Sequence, residues 1–375
     1  MQTGKKKIGL IVNPIAGMGG KVGLKGTDTS EILKKAIALG ATPESPRRAA
    51  QAFTVLAAVR DDIRIVTYPG EMGETEAKAA GFEVTVLGSI TPGATSADDT
   101  ERAAREIQAF GVELLLFVGG DGTARNIHNA IENRVTALGI PAGVKMHSAV
   151  FGTTPRAAGE LAVLCVREKV KGTAEAEVMD IDEEAFRNQR VSASLYGYLK
   201  VPFERKLMQS IKAGRDGRED AAVGAIALDV VQHMESDCFY IIGPGTTTRE
   251  IMQALNLPNT LLGVDVIMNK ALVANDVNER QLLDILKDAP ARIVVTIIGG
   301  QGYIFGRGNQ QISYKVIQKV GRDHIIVIAT TSKIVSLGGS PMLVDTGDEA
   351  TDRMLSGYVQ VTTGFKEKMM CKVAY

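Results

Sequence analysis

The chain of 375 residues is 45% hydrophobic, enough to bury a large core, and its length favours two domains over one. Its 43 basic and 43 acidic residues balance, which excludes an overall field that would gather nucleic acid or an anionic membrane; any anion has to be caught locally. Three cysteines, Cys165, Cys238 and Cys371, lie far apart without metal-ligand spacing, which argues against a disulfide framework or a zinc site and for a reducing, cytoplasmic setting.

In chain order, the opening MQTGKKKIGLIVNP has an apolar run that stops at Asn13-Pro14. It is too short for a signal segment or a membrane span and reads as a buried first strand over 8–12. Further short apolar strands are expected at 63–66, 83–87, 114–118 and 137–140. Between them, helical spacing predicts helices at 30–38, 45–59, 74–79, 97–110 and 124–131, capped at Ser30, Ser45 and Ser96. Strand alternating with helix predicts an α/β fold: an N-terminal doubly wound parallel-sheet domain over residues 1–170. Residues 175–220 are dense in charge and read as exposed β-structure and loop. Alternation returns with helix 221–234, strand 239–242, helix 248–255, strand 261–267, helix 278–286, strand 292–298, helix 311–320 and strand 325–329. A second glycine-rich α/β or α+β domain is therefore expected over 171–375, with period-two alternation in its tail predicting antiparallel strand.

Forty glycines punctuate the chain, many of them straight after apolar runs, as in IVNPIAGMGG, LLLFVGGDGT, YIIGPGTTT and VVTIIGGQGYIFGRG. That position is the carboxyl end of a strand, where open α/β sheets bind ligands. In FVGGDGTARNI, Gly119, Gly120 and Gly122 let backbone amides approach a phosphate chain. Thr123 supplies a hydroxyl and a cap for the following helix. Asp121 near a phosphate would be repelled unless it holds Mg²⁺ or accepts a proton from an attacking hydroxyl, and both are tasks of phosphoryl transfer. A tight strand-to-helix turn alone would also account for GGDG; the strand before it, the helix after it, and Arg125 and Lys145 nearby favour phosphate binding.

VGGDGT resembles the signature of the superfamily of NAD kinases, diacylglycerol and sphingosine kinases and, more distantly, phosphofructokinases. The loop IGLIVNPIAGMGG is similar to the Asn-Pro glycine-rich loop that precedes that signature, and the chain is most similar to the ATP-NAD kinase and acetoin-catabolism protein X branch. The likeness covers about the first 165 residues, with looser similarity at YIIGPGTTTRE and IIGGQGYIFGRGNQ. It implies a catalytic Asp121, a triphosphate lined by Gly119, Gly120, Gly122 and Thr123, and Asn13, Gly17, Gly19 and Gly20 beside the nucleotide. The donor would be ATP or polyphosphate with Mg²⁺, and NAD is the first acceptor candidate. The Asn-Glu or Asn-Asp pair typical of NAD kinases after GGDGT has no clear equivalent, the nearest segment being FGTTPRAAGE. The GT-x-ND turn of lipid kinases is replaced by GVKMH.

His147 follows Lys145 by two residues, so on an extended segment both would face the mouth of the sheet, although a structural histidine is as plausible. Gly243, Gly245, Thr246 and Thr247 form a second strand–loop–helix unit suited to a phosphate or sugar, or an ordinary capped turn. Gly302 and Arg307 lie in a loop expected to close over a base, and Asp265 near another strand end is either a helix cap or a polar site residue. These are the candidate acceptor-binding residues. GxGxxG is absent from the first loop, where residue 22 is Val, which weakens a dehydrogenase reading. The expectation is a cytoplasmic kinase acting on a small polar acceptor, with no nucleic-acid or membrane partner and room for a homo-oligomer. A nucleotide-binding regulator without turnover, and a sugar-phosphate isomerase or deaminase-like activity in the C-terminal half, are the alternatives.

Overall fold

The computed structural model describes residues 5–24, 30–143, 146–170, 172–181, 193–204, 207–208, 219–260, 262–287, 289–298 and 301–375. The chain divides into two compact units, Met1–Met18 with Gly26–Ile211, and Gly19–Lys25 with Lys212–Tyr375.

In the first unit, β1 (Lys6–Val12), β2 (Ile63–Thr67), β3 (Val84–Val86), β4 (Leu114–Gly119) and β5 (Ala137–Pro141) form one sheet in the order β3-β2-β1-β4-β5. Every pairing in it is parallel. Continuous apolar runs such as Leu114–Val118 are buried along their whole length, as a parallel sheet covered on both faces requires. The cover comes from α1 (Ser30–Ala38), α2 (Ser45–Leu56), α3 (Glu74–Ala79), α4 (Ala97–Ala109), α5 (Asp121–Ile131) and α6 (Pro155–Val166). The helices α2 and α6 pack on each other, as do α4 and α5. Ser96 caps α4 in a full capping box with Asp99, as expected. Ser45 instead lies inside α2, after N-cap Glu44, and its hydroxyl donates to the Ala16 carbonyl at 3.2 Å. An antiparallel hairpin, β6 (Thr173–Ile181) and β7 (Ala193–Pro202), packs on α5.

The strand order makes β1 and β4 the switch point of the sheet. The chain leaves β1 toward one side and β4 toward the other, so their carboxyl ends open a crevice that neighbouring connections do not cover.

The second unit is built on a nine-stranded sheet in the order β10-β9-β8-β11-β13-β15-β16-β14-β12. Its parallel centre is β8 (Phe239–Ile242), β11 (Ala291–Thr296), β13 (Ile325–Ile328) and β15 (Gly357–Gly364). On one side, β9 (Asp265–Met268) and β10 (Ala271–Ala274) turn antiparallel. On the other, β16 (Glu367–Ala374) returns antiparallel to β15, confirming the period-two reading of the tail, and leads to β14 (Met342–Val344) and β12 (Tyr303–Phe305). Strand residues alternate between two cores. Tyr240, Ile242, Val294 and Ile328 face α7 (Glu219–Gln232) and α8 (Thr246–Ala254), packing against Ile226, Ala227, Ile251 and Met252. Ile241, Ile293, Val295 and Val327 face α9 (Glu279–Leu286) and α10 (Tyr314–Val320), packing against Leu282, Leu286, Val316 and Ile317. Two short helices, α11 (Thr331–Val335) and α12 (Glu349–Leu355), complete the unit. Among the described residues, no helix is long and apolar enough to cross a membrane.

Candidate functional site

At the switch point of the first sheet the backbone closes to contact distance. Gly17 has φ +82°, and a Cβ there would lie 2.1 Å from the Ala142 carbonyl oxygen. A Cβ on Gly119 would lie 2.3 Å from Thr123 Oγ1. Glycine at these positions is therefore a packing requirement.

Asn13 leaves β1 with its amide bonded to the Val118 carbonyl at 3.0 Å, continuing the β1–β4 ladder by one bond. Its side chain then fastens the crevice: Nδ2 donates to Thr123 Oγ1 at 2.9 Å and Oδ1 accepts from the Ile15 amide at 3.2 Å. Thr123 is buried in α5, which begins at Asp121, three residues earlier than the periodicity suggests. The N-cap is Gly120, and no side chain caps the helix. Thr123 thus serves not as a cap but as the acceptor that couples α5 to the β1 loop. An uncapped helix start at a sheet switch point presents first-turn amides and the positive end of the helix dipole to an anion.

Asp121 is the first residue of α5 and is buried. Its Oδ2 accepts from the His147 amide at 2.8 Å and its Oδ1 from the Ser148 amide at 2.9 Å. The carboxylate therefore pins the 147–148 segment to the helix start. Each of its oxygens retains a further lone pair. His147 Nδ1 stands 3.6 Å from Asp121 Oδ2, buried and without a hydrogen-bond partner. Ser148, a residue that sequence reasoning missed, is buried, and its hydroxyl accepts from the Met179 amide at 2.9 Å, tying the same segment to β6.

Asn13, Gly17, Gly119, Gly120, Asp121, Thr123 and His147 are thus brought together in the first unit. Gly122 and Arg125 lie on the first turns of α5. Lys145 falls outside the described residues. Gly19 and Gly20 belong to the second unit, where Gly20 lies against Gln310 and the Lys21 carbonyl accepts from the Glu279 amide at 3.2 Å.

In the second unit, Gly243, Gly245, Thr246 and Thr247 lie where β8 runs into α8, with Gly245 as N-cap. Asp265 is buried at the start of β9, where Oδ2 accepts from the Thr260 amide at 2.6 Å and Oδ1 from the Asp276 amide at 3.0 Å. Burial raises its pKa above the usual carboxylate value. It acts as a tie for the 260–276 connection and caps no helix. The segment from Gly302 to Asn309 is buried, with Tyr303, Ile304 and Phe305 in β12 and Asn309 bonded to the Gly306 amide and the Ile304 carbonyl. The sequence suggested a mobile flap here; the structure shows a packed edge, with the Arg307 guanidinium 4.9 Å over the Tyr303 ring. A cavity of about 420 Å³ near Glu235, Cys238, Arg292 and Lys319 opens at the other, amino-terminal end of β8 and β11. All three thiols are free, and burial pushes each of them above the usual range, Cys165 to about 11, so none is an activated nucleophile.

A doubly wound sheet whose switch point carries an uncapped helix start, glycine-rich turns and a buried aspartate is an arrangement that can take an anion at the helix start. Two family models match the chain, the ATP-NAD kinase N-terminal domain over residues 8–170 and the ATP-NAD kinase C-terminal domain over residues 235–373. The chain belongs to the ATP-NAD kinase family. No curated protein matches it in sequence. Solved structures named as diacylglycerol kinases from Bacillus anthracis str. Sterne are similar over 48% of this chain at 21% identity. One has a TM-score of 0.26 over 47% of its own length and another 0.25 over 45%. The chain spans about half the length of these structures.

Proposed function

We propose that the protein is a kinase that transfers a phosphoryl group from ATP or polyphosphate to a hydroxyl of a small polar acceptor, with NAD the first candidate. The observation that carries the reading is the α5 start at the β1–β4 switch point, where Asn13, Gly119, Gly120, Asp121 and Thr123 converge. The first-turn amides of α5 would bind the donor phosphates, and Thr123, held by Asn13, keeps the β1 loop in register with them. Asp121 would accept the acceptor's proton, and His147, with Nδ1 3.6 Å from Asp121 Oδ2, would take that proton further. Among the described residues no cluster of three His, Cys, Asp or Glu side chains could hold a metal unaided. That fits Mg²⁺, which commonly binds through one or two carboxylates, substrate phosphates and water. Asp121 would supply the carboxylate, and the ion would neutralise charge on the transferring phosphate.

The hydrogen bonding of Asp121 also favours a second reading, a nucleotide-binding regulator without turnover, because both carboxylate oxygens already serve backbone amides. The test is NADP formation from NAD and Mg²⁺-ATP by the wild type and by Asp121→Asn, with ATP binding and melting temperature followed on the same samples. An Asn amide turns one N–H donor against the amide of His147 or Ser148, so some loss of stability is expected, on the order of 1–3 kcal/mol. Turnover that vanishes while ATP still binds supports the kinase. Wild-type protein that binds ATP but phosphorylates neither NAD nor other hydroxyl acceptors supports the regulator.

A further inference from the structure

Where β8 runs into α8, three observations point to one kind of ligand. The first is the helix start itself: α8 spans nine residues, its N-cap Gly245 contributes no side chain, and its first turn carries no acidic residue. The second is Thr296, the last residue of β11. It lies two residues beyond Val294, so period-two alternation puts its side chain on the sheet face that α8 covers. Its Cγ2 stands 2.9 Å from where a Cβ on Gly245 would be. Thr296 is 7% exposed, and its hydroxyl has no hydrogen-bond partner. A buried hydroxyl left unmade costs free energy, so a polar atom is wanted at this place.

The third observation is Lys333 of α11, whose Nζ donates to Thr247 Oγ1 at 2.7 Å. Thr247 is fully buried in the first turn of α8. An ammonium therefore stands at the positive end of a helix dipole, the end that favours anions and disfavours cations. Amides, a hydroxyl and an ammonium gathered at one helix start form the donor set of an oxyanion.

We infer that the second unit holds a phosphate-binding site of its own, at the α8 start, made by the first-turn amides of α8, the Thr296 hydroxyl and the Lys333 ammonium. Its ligand is the phosphate group of a small phosphorylated molecule, bound independently of the nucleotide phosphates proposed for the α5 start. The site makes Lys333 a ligand-binding residue and gives the orphaned hydroxyl of Thr296 its partner.

The test uses the full chain and two probes, inorganic phosphate and glycerol 3-phosphate, with binding read by calorimetry and by the rise in melting temperature. The Asn13→Asp parent, which carries a negative charge at the α5 start, is compared with its Lys333→Met and Thr296→Val derivatives. Lys333→Met is expected to weaken phosphate binding about 10-fold or more, the worth of one charge-assisted hydrogen bond, and Thr296→Val by a smaller factor. Without ligand, Lys333→Met is expected to melt somewhat lower than its parent, because the fully buried Thr247 hydroxyl loses its donor, a loss offset in part by removing a cation from the positive end of α8. Glycerol 3-phosphate binding more tightly than inorganic phosphate identifies an ester as the ligand, and equal binding identifies the free ion. Phosphate that binds parent and Lys333→Met alike, or neither, overturns the inference. So does a marked loss of ligand-free stability in Lys333→Met together with unchanged binding, which would make the lysine a structural prop. None of these outcomes depends on whether the protein phosphorylates NAD.

Discussion

Asn13 offers a perturbation in which stability and ligand binding should separate. Its side chain makes two bonds, one to buried Thr123 Oγ1 at 2.9 Å and one from the Ile15 amide at 3.2 Å. In Asn13→Ala both are lost and the buried Thr123 oxygen loses its donor, at a cost of about 1–3 kcal/mol. For a unit of this size that corresponds to a fall in melting temperature of roughly 2–12 °C, at about 2–4 °C per kcal/mol. Asn13→Asp behaves differently. A carboxylate can still accept from Ile15, and the Thr123 hydroxyl, able to donate as well as accept, can turn its proton toward it, so the stability cost should stay within about 1 kcal/mol. The added charge acts on the ligand instead. A carboxylate about 6 Å from a phosphoryl group, at an effective dielectric constant near 20, repels it by about 3 kcal/mol, a weakening on the order of 100-fold. Scanning calorimetry and ATP titration on the two variants check the pair. Asn13→Asp that binds ATP as tightly as wild type would sink the placement of phosphate at this crevice.

Gly17→Ala puts a methyl group 2.1 Å from the Ala142 carbonyl in a residue held at φ +82°. The β1 loop must move, and a loss of at least about 1–3 kcal/mol together with weaker ATP binding is expected from melting and titration. Tyr68 is fully buried, and burial pushes its hydroxyl up to about 12 from 10.0. Its folded pKa lies above its unfolded value, so its contribution is complete below about pH 10 and is lost as pH rises toward 12. Denaturant melts should therefore show stability falling across that window, less steeply in Tyr68→Phe than in wild type.

The candidate switch-point site was legible in the sequence because β1 and β4 are short apolar runs that break off abruptly, β1 into Asn13-Pro14 and a glycine-rich loop and β4 into Gly119-Gly120, as strands buried on both faces and closed by turns do. The helix after GGDGT was misplaced by three residues, since Gly-Asp-Gly-Thr is also turn chemistry; only the extended Gly120 fixes the true start. The helix α6 escaped notice for the opposite reason. PRAAGELAVLCV is buried on most sides and lacks a polar stripe, so periodicity gives no signal, although Thr154 and Pro155 mark its start and the Thr154 hydroxyl accepts from Ala157 at 3.0 Å. Lys333 sits in a helix of five residues, too short to show any period. The strand-end run ATTSK, so like GPGTTT in its place after an apolar stretch, was the signal that could have found it. The buried character of residues 302–309 was hidden by their glycines, which suggest mobility until the close packing of the segment is seen.

The two helix starts handle charge in opposite ways, and this leads to a last prediction. The α5 start carries its own anion, Asp121, whose charge is only partly taken up by the amides of His147 and Ser148. A phosphate chain brought there meets a like charge, so its binding should need a divalent cation between carboxylate and phosphate. The first turn of α8 carries no acidic residue, and Lys333 supplies a cation covalently. Phosphate binding there should need no metal. Chelation by EDTA is therefore expected to weaken ATP binding in wild type about 10-fold or more, while the Lys333-dependent binding of inorganic phosphate persists unchanged. Titrations with ATP and with phosphate, each with Mg²⁺ and with EDTA, separate the two. ATP binding indifferent to chelation would show that Asp121 does not face the phosphates. Phosphate binding that disappears with the metal would show that Lys333 is not the charge that holds it.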